Sequence, residues 1–416
     1  MSSAPRPEPD LADIAARIWR DARAANFRGF DPYDGLCTPA FSGLLARSRL
    51  LRLLVIQGVK RSLLDLRPLL RVEPGLNPKA LALFLQGAAV WPALAGETSA
   101  REQLADLLVC LASRPDGAPA LPDRAVQPGA AAGLAAGDLA YEGPVGWGYH
   151  FPWQAVAFLQ PPHYPTVVVT GFVLEAFAAA RHAALPSVTE AAARFVQESL
   201  HRHRDADGVC FSYSPRDRSR VYNASLFAAR ILARSAALGG SAADERATLA
   251  NAAADWVARR QHPNGAWLYG EASHWQWVDG LHTGFVLETL AFIDETLGTR
   301  ARQPAVERGV AWYRERLFSP KADALYFPGR MYPLDPHTFA SAALTFLALR
   351  HAVPDGADFA RAVLKRAVDR LWDDDRGVFV TRRSRLIKDR TPYLRWSQAW
   401  MFRALSDLLA REDSPS

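Results

Sequence analysis

The chain has 416 residues, 49% of them hydrophobic and 22% charged, with a formal net charge of +6. This apolar fraction excludes a disordered or linker-like protein, and the length predicts two or three domains or one large repetitive one. Three cysteines (Cys37, Cys110, Cys210) lie far apart without a CxxC pair, which excludes a disulfide scaffold and a cysteine-built zinc site.

The first ten residues are polar and Pro-rich, with no apolar core of the signal-peptide kind, and predict a disordered N-terminus over residues 1–10. Helices are expected near residues 10–26, 40–57, 77–90 and 98–113. No stretch reaches the roughly 18–20 uninterrupted apolar residues of a membrane helix. Ala80–Gly96 comes nearest, but Gln86 and Pro92 interrupt it, so it reads as a buried helix and its end. The expectation is a soluble, cytoplasmic protein with no integral membrane segment. Residues 114–140 read as a long surface connection.

From about residue 140 the chain repeats one pattern. A helix is followed by a turn with Asp or Asn beside Gly, then by aromatic-rich strands or loops, and a polar residue opens an Ala/Leu-rich second helix. Phe195–His201 leads through Asp207-Gly208, Phe211 and Tyr213 to Asn223. Trp256–Arg260 leads through Gln261, Asn264-Gly265, Trp267 and Tyr269 to His282. Trp312–Leu317 leads through Tyr326 and Phe327 to His337, and Val368–Trp372 through Gly377 and Phe379 to Ser397. An earlier copy runs from Gly146–Tyr149 to Thr170. The step is about 55–60 residues, which fits two helices and their connections.

The second helices are apolar on all sides, as in Phe339–Leu349, and belong inside a larger assembly. The first helices are amphipathic and should face solvent. Inner helices alternating with outer ones predict an all-α fold, a single (α/α)6-like toroid over residues 11–412. Residues 11–140 supply its N-terminal helices and residues 141–412 five hairpins. Each aromatic and polar loop enters an inner helix from the same side, so the loops should converge on one cleft.

The richest loop runs from Gln261 to His282 and holds Glu271, His274, Trp275, Gln276, Trp277 and Asp279. Trp beside amide, carboxylate and imidazole groups is the usual lining of a sugar site. The competing structural reading makes Asn264-Gly265 a turn, Trp267 packing, and His282 a helix cap. A second loop pairs Trp147, Tyr149, His150 and Trp153 with Gln154. A third, Tyr213–Asn223, carries Arg216, Arg218 and Arg220 and suits a carboxylate or phosphate, or else a solvated turn. Asp335 and His337, and Arg395, Trp396 and Gln398, stand just ahead of inner helices. The acidic run Asp373–Asp375 reads as a turn.

No GxGxxG, Walker-type, GxSxG or HExxH motif occurs, and no His/Asp set has convincing metal spacing. Neither a cofactor nor a metal is expected. The basic charge is almost wholly arginine, interspersed with Asp and Glu, which reads as solvated surface rather than a nucleic-acid stripe. An anionic substrate is compatible with it.

The hairpin pattern from Phe195 to Leu405 resembles the α/α-toroid carbohydrate-active proteins: the N-acylglucosamine 2-epimerase type, the helical domain of glucuronyl C5-epimerases, and unsaturated-uronyl hydrolases. Trp147–Gln154, Tyr213–Asn223 and His274–Glu288 resemble proteins associated with bacterial exopolysaccharide biosynthesis. Trp256-Val257, Gln261, Gly265 and Trp267 are similar to the repeat motif of triterpene cyclases, which ties outer helices to turns; the DxDD acid motif of those enzymes is missing.

The resemblance implies a sugar or anionic polysaccharide as substrate, polysaccharide-biosynthesis proteins as partners, and no nucleic acid. Proton abstraction next to a carbonyl or carboxylate, giving epimerisation or β-elimination, is the favoured chemistry. His274 and His282, or Tyr149 and His150, are the acid/base candidates. Arg220 or Arg395 would hold a carboxylate, and Trp275 and Trp147 would stack on the ring. Trp277, Tyr213, Asn223, Asp335, His337, Trp396 and Gln398 are further binding candidates. Hydrolysis would need two carboxylates among Glu271, Asp279 and Asp335. The same aromatic lining would also suit a non-catalytic glycan-binding protein, and the helical barrel a terpenoid cyclase.

Overall fold

A computed structural model of the chain describes residues 10–39, 48–62, 64–121, 141, 143–154 and 159–412. The expected disordered start, apart from residue 10, lies outside these residues, as do most of the 114–140 connection and the first part of the helix expected at 40–57.

The helices in chain order are α1 (Leu11–Ala24), α2 (Arg49–Arg61), a single turn α3 (Arg67–Leu70), α4 (Pro78–Val90) and α5 (Thr98–Cys110). They continue with α6 (Val167–Ala179), α7 (Leu185–Arg194), α8 (Tyr222–Leu238), α9 (Ala243–Ala258) and α10 (Gly280–Thr296). The last are α11 (Gln303–Arg316), α12 (Pro336–Ala348), α13 (Gly356–Leu371) and α14 (Trp400–Glu412). Helices α4, α6, α8, α10, α12 and α14 each pack on the next, and α14 returns to α4, which closes an inner ring. α1, α5, α7, α9, α11 and α13 lie outside it. This is the (α/α)6 toroid that the repeat predicts.

Burial explains the division. In α12 every residue from Pro336 to Ala343 is buried, whereas α13 buries one stripe, Ala360, Val363, Leu364, Ala367, Val368 and Leu371. Local chemistry starts the inner helices: Asn77 caps α4 and Asp335 caps α12, each followed by Pro at the first helical position. Thr166 caps α6 and Asp279 caps α10. The polar residues expected to open the inner helices lie past the caps: Thr170, Asn223, His282 and His337 are inside α6, α8, α10 and α12, and Ser397 is in the turn Leu394–Ala399. His282 lies inside the first turn of α10 and its N–H is the group capped by Asp279. Asn223 lies inside α8, whose N-cap position is Val221.

The loops form short antiparallel ribbons: β1 (Arg28–Gly29) with β2 (Gly75–Leu76), β3 (Trp153–Gln154) with β4 (Leu159–Gln160), and β5 (Arg202–Asp205) with β6 (Gly208–Phe211). Near the C-terminus come β7 (Trp372–Asp373) with β8 (Val378–Phe379) and β9 (Arg382–Arg383) with β10 (Lys388–Asp389). Asp373–Asp375 begins the β7–β8 turn.

The turn glycines carry the repeat from one hairpin to the next. Gly208 (φ +139) and Gly265 (φ +98) adopt a conformation L side chains rarely take. A Cβ on Gly208 would lie 2.3 Å from the Ala252 carbonyl oxygen of α9, and one on Gly265 would lie 2.5 Å from that of Arg308 in α11. Gln261 reinforces the second contact: its Nε2 donates to the carbonyls of Gly265 (3.0 Å) and Ala305 (2.9 Å). Trp267 donates its indole N–H to Val257 O at 2.9 Å. The cyclase-like motif therefore ties outer helices to turns here as well.

Candidate active site

A cavity of about 210 Å³ sits where the inner helices begin. The first turns of α4, α6, α8, α10 and α12 reach it through Lys79, Val168, Asn223, His282 and His337. Arg395 and Trp396 enter from the π-helical turn Leu394–Ala399 that leads into α14. Tyr33, Tyr149, Phe151, Trp153, Tyr213, Tyr269 and Tyr326 wall it from the loops. The inner-helix starts and the loops before them thus meet at one place.

Two imidazoles in this cavity differ in their surroundings. His282 Nδ1 lies 2.6 Å from Asp279 Oδ2, and the same carboxylate accepts the indole N–H of Trp277 at 3.1 Å. Burial pushes the Asp279 carboxyl up, but His282 and these hydrogen bonds together hold it below its ordinary value. The contact assigns a proton to Nδ1 and turns Nε2 away from Asp279. His337 is buried, stacked on Trp400 at 4.4 Å and edge-on to Trp396 at 4.8 Å, and neither ring nitrogen has a hydrogen-bond partner. Burial, with Lys79 and Arg395 nearby, holds its pKa well below the usual value, so the ring is neutral near pH 7.

Lys79 forms part of the floor. Its amine sits 4.1 Å from the centroid of Phe172 and 5.1 Å from that of Trp400. Burial, then Arg395, lowers its pKa well below that of a solvated lysine. Arg395 is neutralised instead: its guanidinium meets both oxygens of buried Asp31, at 2.5 and 2.8 Å. Asn223 contributes a buried Oδ1 without a partner. Tyr149 and Tyr213 approach hydroxyl to hydroxyl at 3.5 Å, and burial raises both pKa values, so both stay protonated donors.

Other sequence candidates lie elsewhere. His274 is exposed on a short 3-10 turn, 4.7 Å from the ring of Trp275, which packs edge-on to Tyr269. Trp277 stacks on Tyr269 at 4.6 Å, exposed to solvent and outside the cavity lining. Glu271 is bound to Arg260 (2.5 Å) and Arg220 (2.8 Å), so two of the expected site residues, Glu271 and Arg220, occupy each other. Trp147 is in the core with its indole donating to Leu108 O at 2.6 Å. His150 packs against Gly75 and edge-on to Phe151, and burial lowers its pKa to about 4. Gln398 pins β8, accepting from Phe379 N and donating to Phe379 O. Asp335 lines an adjoining cavity of about 220 Å³ that shares Tyr33, Tyr326 and Trp396 with the first. Burial raises its carboxyl to about 6.

Sequence reasoning missed Tyr33, Lys79, Phe151, Tyr269, Tyr326 and Asp31. Signals existed for two. Tyr269 stands two residues after Trp267, as Tyr213 does after Phe211, and Asn77-Pro78-Lys79 has the Asn-Pro start of an inner helix. Nothing local marks Tyr33 or Asp31.

At the other end of the ring a cavity of about 230 Å³ is lined by Glu175, Arg230, Glu288, Arg403 and Asp407. Phe172, Phe227, Phe285 and Trp400 pack together between the two ends, 5.2–5.9 Å centroid to centroid. Arg230 and Arg234 both grip Glu175 and, against the effect of burial, bring its pKa down to about 2.

No family model matches this chain, and no curated protein matches it in sequence. Solved structures do match in shape. The cellobiose 2-epimerase of Bacillus thermoamylovorans superposes with a TM-score of 0.58 at 7% identity, over 81% of this chain and 88% of that one. A D-mannose isomerase gives 0.54 at 10% identity, over 81% and 86%. A family 76 α-mannanase of Bacteroides thetaiotaomicron gives 0.54 at 10% identity, over 81% and 87%. The chain has the fold of these carbohydrate-active enzymes, the (α/α)6 toroid.

Proposed function

We propose that the cavity is the active site of an enzyme that moves a proton at a sugar carbon beside a carbonyl, an epimerase or isomerase. The observation that carries this reading is the pair of unlike imidazoles. Neutral His337, with both nitrogens unpartnered, suits the base that takes the C–H proton. The electron pair left on carbon passes into an enediolate, and His282, entering the step as an imidazolium whose Nδ1–H is held by Asp279, returns its Nε2 proton to the carbon and ends neutral, while His337 ends protonated. Lys79 and the Tyr149 and Tyr213 hydroxyls are the donors for the developing oxyanion. The aromatic wall offers ring-stacking faces.

The likeness in fold to a sugar epimerase and a sugar isomerase supports the same class. Among the described residues lining the cavity there is no carboxylate, which favours proton transfer over two-carboxylate hydrolysis. Arg395 is committed to Asp31, so a carboxylate-bearing sugar would meet Lys79. The short segments that resemble exopolysaccharide-biosynthesis proteins make polysaccharide assembly the proposed setting, inside the cytoplasm.

The test is proton NMR in D2O with reducing sugars, disaccharides and uronic-acid polysaccharides. Deuterium entering beside the carbonyl, with a new epimer or ketose, is the expected result. Alanine at His337 should lower that rate about 10²–10⁴-fold with substrate binding retained. Shorter saturated fragments without deuterium uptake would replace this reading with hydrolysis, in which Asp335, with its carboxyl near 6, would be the acid.

A further inference from the structure

Two elements beside the candidate active site expose large aliphatic side chains among basic ones. In α2, Leu50 (66% exposed) and Leu54 stand one turn apart facing solvent, while Ile56 and Val59 are buried. α2 holds no acidic residue and carries Arg49, Arg52, Lys60 and Arg61. The segment after it exposes Leu64 (75%) and Leu69 (81%). The second element is the β9–β10 ribbon. Its two-residue turn, closed by Ser384 N–H to Ile387 O at 2.8 Å, presents Leu386 at 93% exposure. The ribbon carries Arg382, Arg383, Arg385 and Lys388, with Arg390 just after it, against one acid, Asp389; Arg383 donates back to the Arg370 carbonyl at 3.0 Å and Arg390 lies 3.7 Å from Asp373.

Both elements border the same opening. Lys60 of α2 and Arg382 and Asp389 of the ribbon line the cavity of about 220 Å³ that shares Tyr33 and Trp396 with the candidate active site. A single exposed leucine needs no explanation, but a cluster of them on two neighbouring protrusions marks a contact surface. Leucine held within a ring of cations matches the boundary between acyl chains and anionic headgroups. An acidic protein groove would have to match two separate protrusions at once, whereas a fluid lipid surface fits both. Among the described residues no helix is long and apolar enough to cross a membrane, so such binding would be peripheral.

We propose that this end of the toroid docks on an anionic lipid surface, with α2 in the headgroup plane and Leu386 and Ile387 inserted below it. This places the cavity mouth at the lipid. The proposal does not depend on the reaction the cavity performs.

The full chain would be sedimented with vesicles of phosphatidylcholine alone and of phosphatidylcholine mixed with phosphatidylglycerol. Binding to the anionic vesicles, weakened about tenfold or more by high salt, is expected. Replacing Leu386 and Ile387 by Ser should lower that binding about tenfold, and Leu50 and Leu54 by Ser likewise. All four side chains face solvent, and unchanged circular dichroism would verify that the variants fold. No binding to anionic vesicles, equal binding to neutral ones, or full binding by both double variants would overturn the proposal. So would concentration-dependent self-association that the same variants abolish, which would make a second copy the occupant.

Discussion

Asp335 and Asp279 occupy the same position in neighbouring hairpins, each capping an inner helix, and the protein treats them oppositely. Asp279 has His282 as a charge partner and is held below its ordinary value. Asp335 accepts from the N–H and hydroxyl of Thr338, and burial outweighs these bonds and the charge of nearby Arg382, raising it from 3.8 to about 6. A carboxyl raised on folding favours the folded state while protonated, so this contribution is complete below pH about 4 and is lost as pH rises through about 6. Asp335→Asn keeps a capping oxygen and removes the charge. It should stabilise the protein by up to about 3 kcal/mol above pH 6 and leave it unchanged below pH 4, read from urea unfolding at both pH values. Asp279→Asn also keeps the cap but removes the charge that orients His282. The expected outcome is a fall in kcat of about 10–100-fold with little change in KM, and a shifted pH profile. Loss of stability with an unchanged pH profile would make Asp279 a cap and nothing more.

At the scale of elements, the repeat is held by turns rather than by helix propensity. Gly265→Ala forces a side chain into positive φ and onto the Arg308 carbonyl at once. A loss of about 1–3 kcal/mol is expected in thermal unfolding. Gly58→Ala makes the opposite case: Gly58 lies within α2, and a Cβ there meets nothing within 4 Å. That substitution should raise stability by about 0.5–1 kcal/mol. The same two changes separate glycines that the architecture requires from one that it merely tolerates. The turn glycines were legible beforehand because Asp-Gly and Asn-Gly recur at one place in the repeat. The caps are legible only in kind: a polar residue does open α6, α10 and α12, but it is Thr166, Asp279 and Asp335, two to four residues before Thr170, His282 and His337, because the capping oxygen must reach a free N–H of the first turn from outside the helix.

At the scale of the molecule, the buried Asp31–Arg395 pair joins residues 364 positions apart and ties the N-terminal segment to the start of α14. Asp34 with Arg67 makes a second buried pair alongside it, since Arg67 also donates to Asp31 O at 2.8 Å. Asp31→Ala would leave a buried guanidinium beside the cavity without a counter-charge. It should cost about 3–5 kcal/mol in denaturant unfolding. Adding Arg395→Met should recover much of that loss, because an apolar chain of similar length removes the unpaired charge. If the single variant proves neutral, water already screens the pair and Arg395 is available to a substrate.

Sequence alone determined the toroid: all-round apolar helices alternating with amphipathic ones, at a constant step and with glycine turns, admit an inner and an outer ring and little else. It also indicated the loops that would meet, because every loop enters an inner helix from the same side. Which side chains on those loops face the cavity was decided by tertiary structure. His274 and His282 are eight residues apart in one loop of suitable composition, yet one is exposed on a turn and the other lies in the cavity against Asp279. Arg220 is taken by Glu271 and Arg395 by Asp31, pairings that no local pattern encodes. Lys79 and Asp31 come from the N-terminal quarter, where the repeat is weakest, and only because the ring closes does Lys79 reach the cavity and Asp31 reach Arg395. Periodicity and turn chemistry are written within a few residues of each position. Convergence on a cavity depends on contacts hundreds of residues apart, and only the folded ring brings those together.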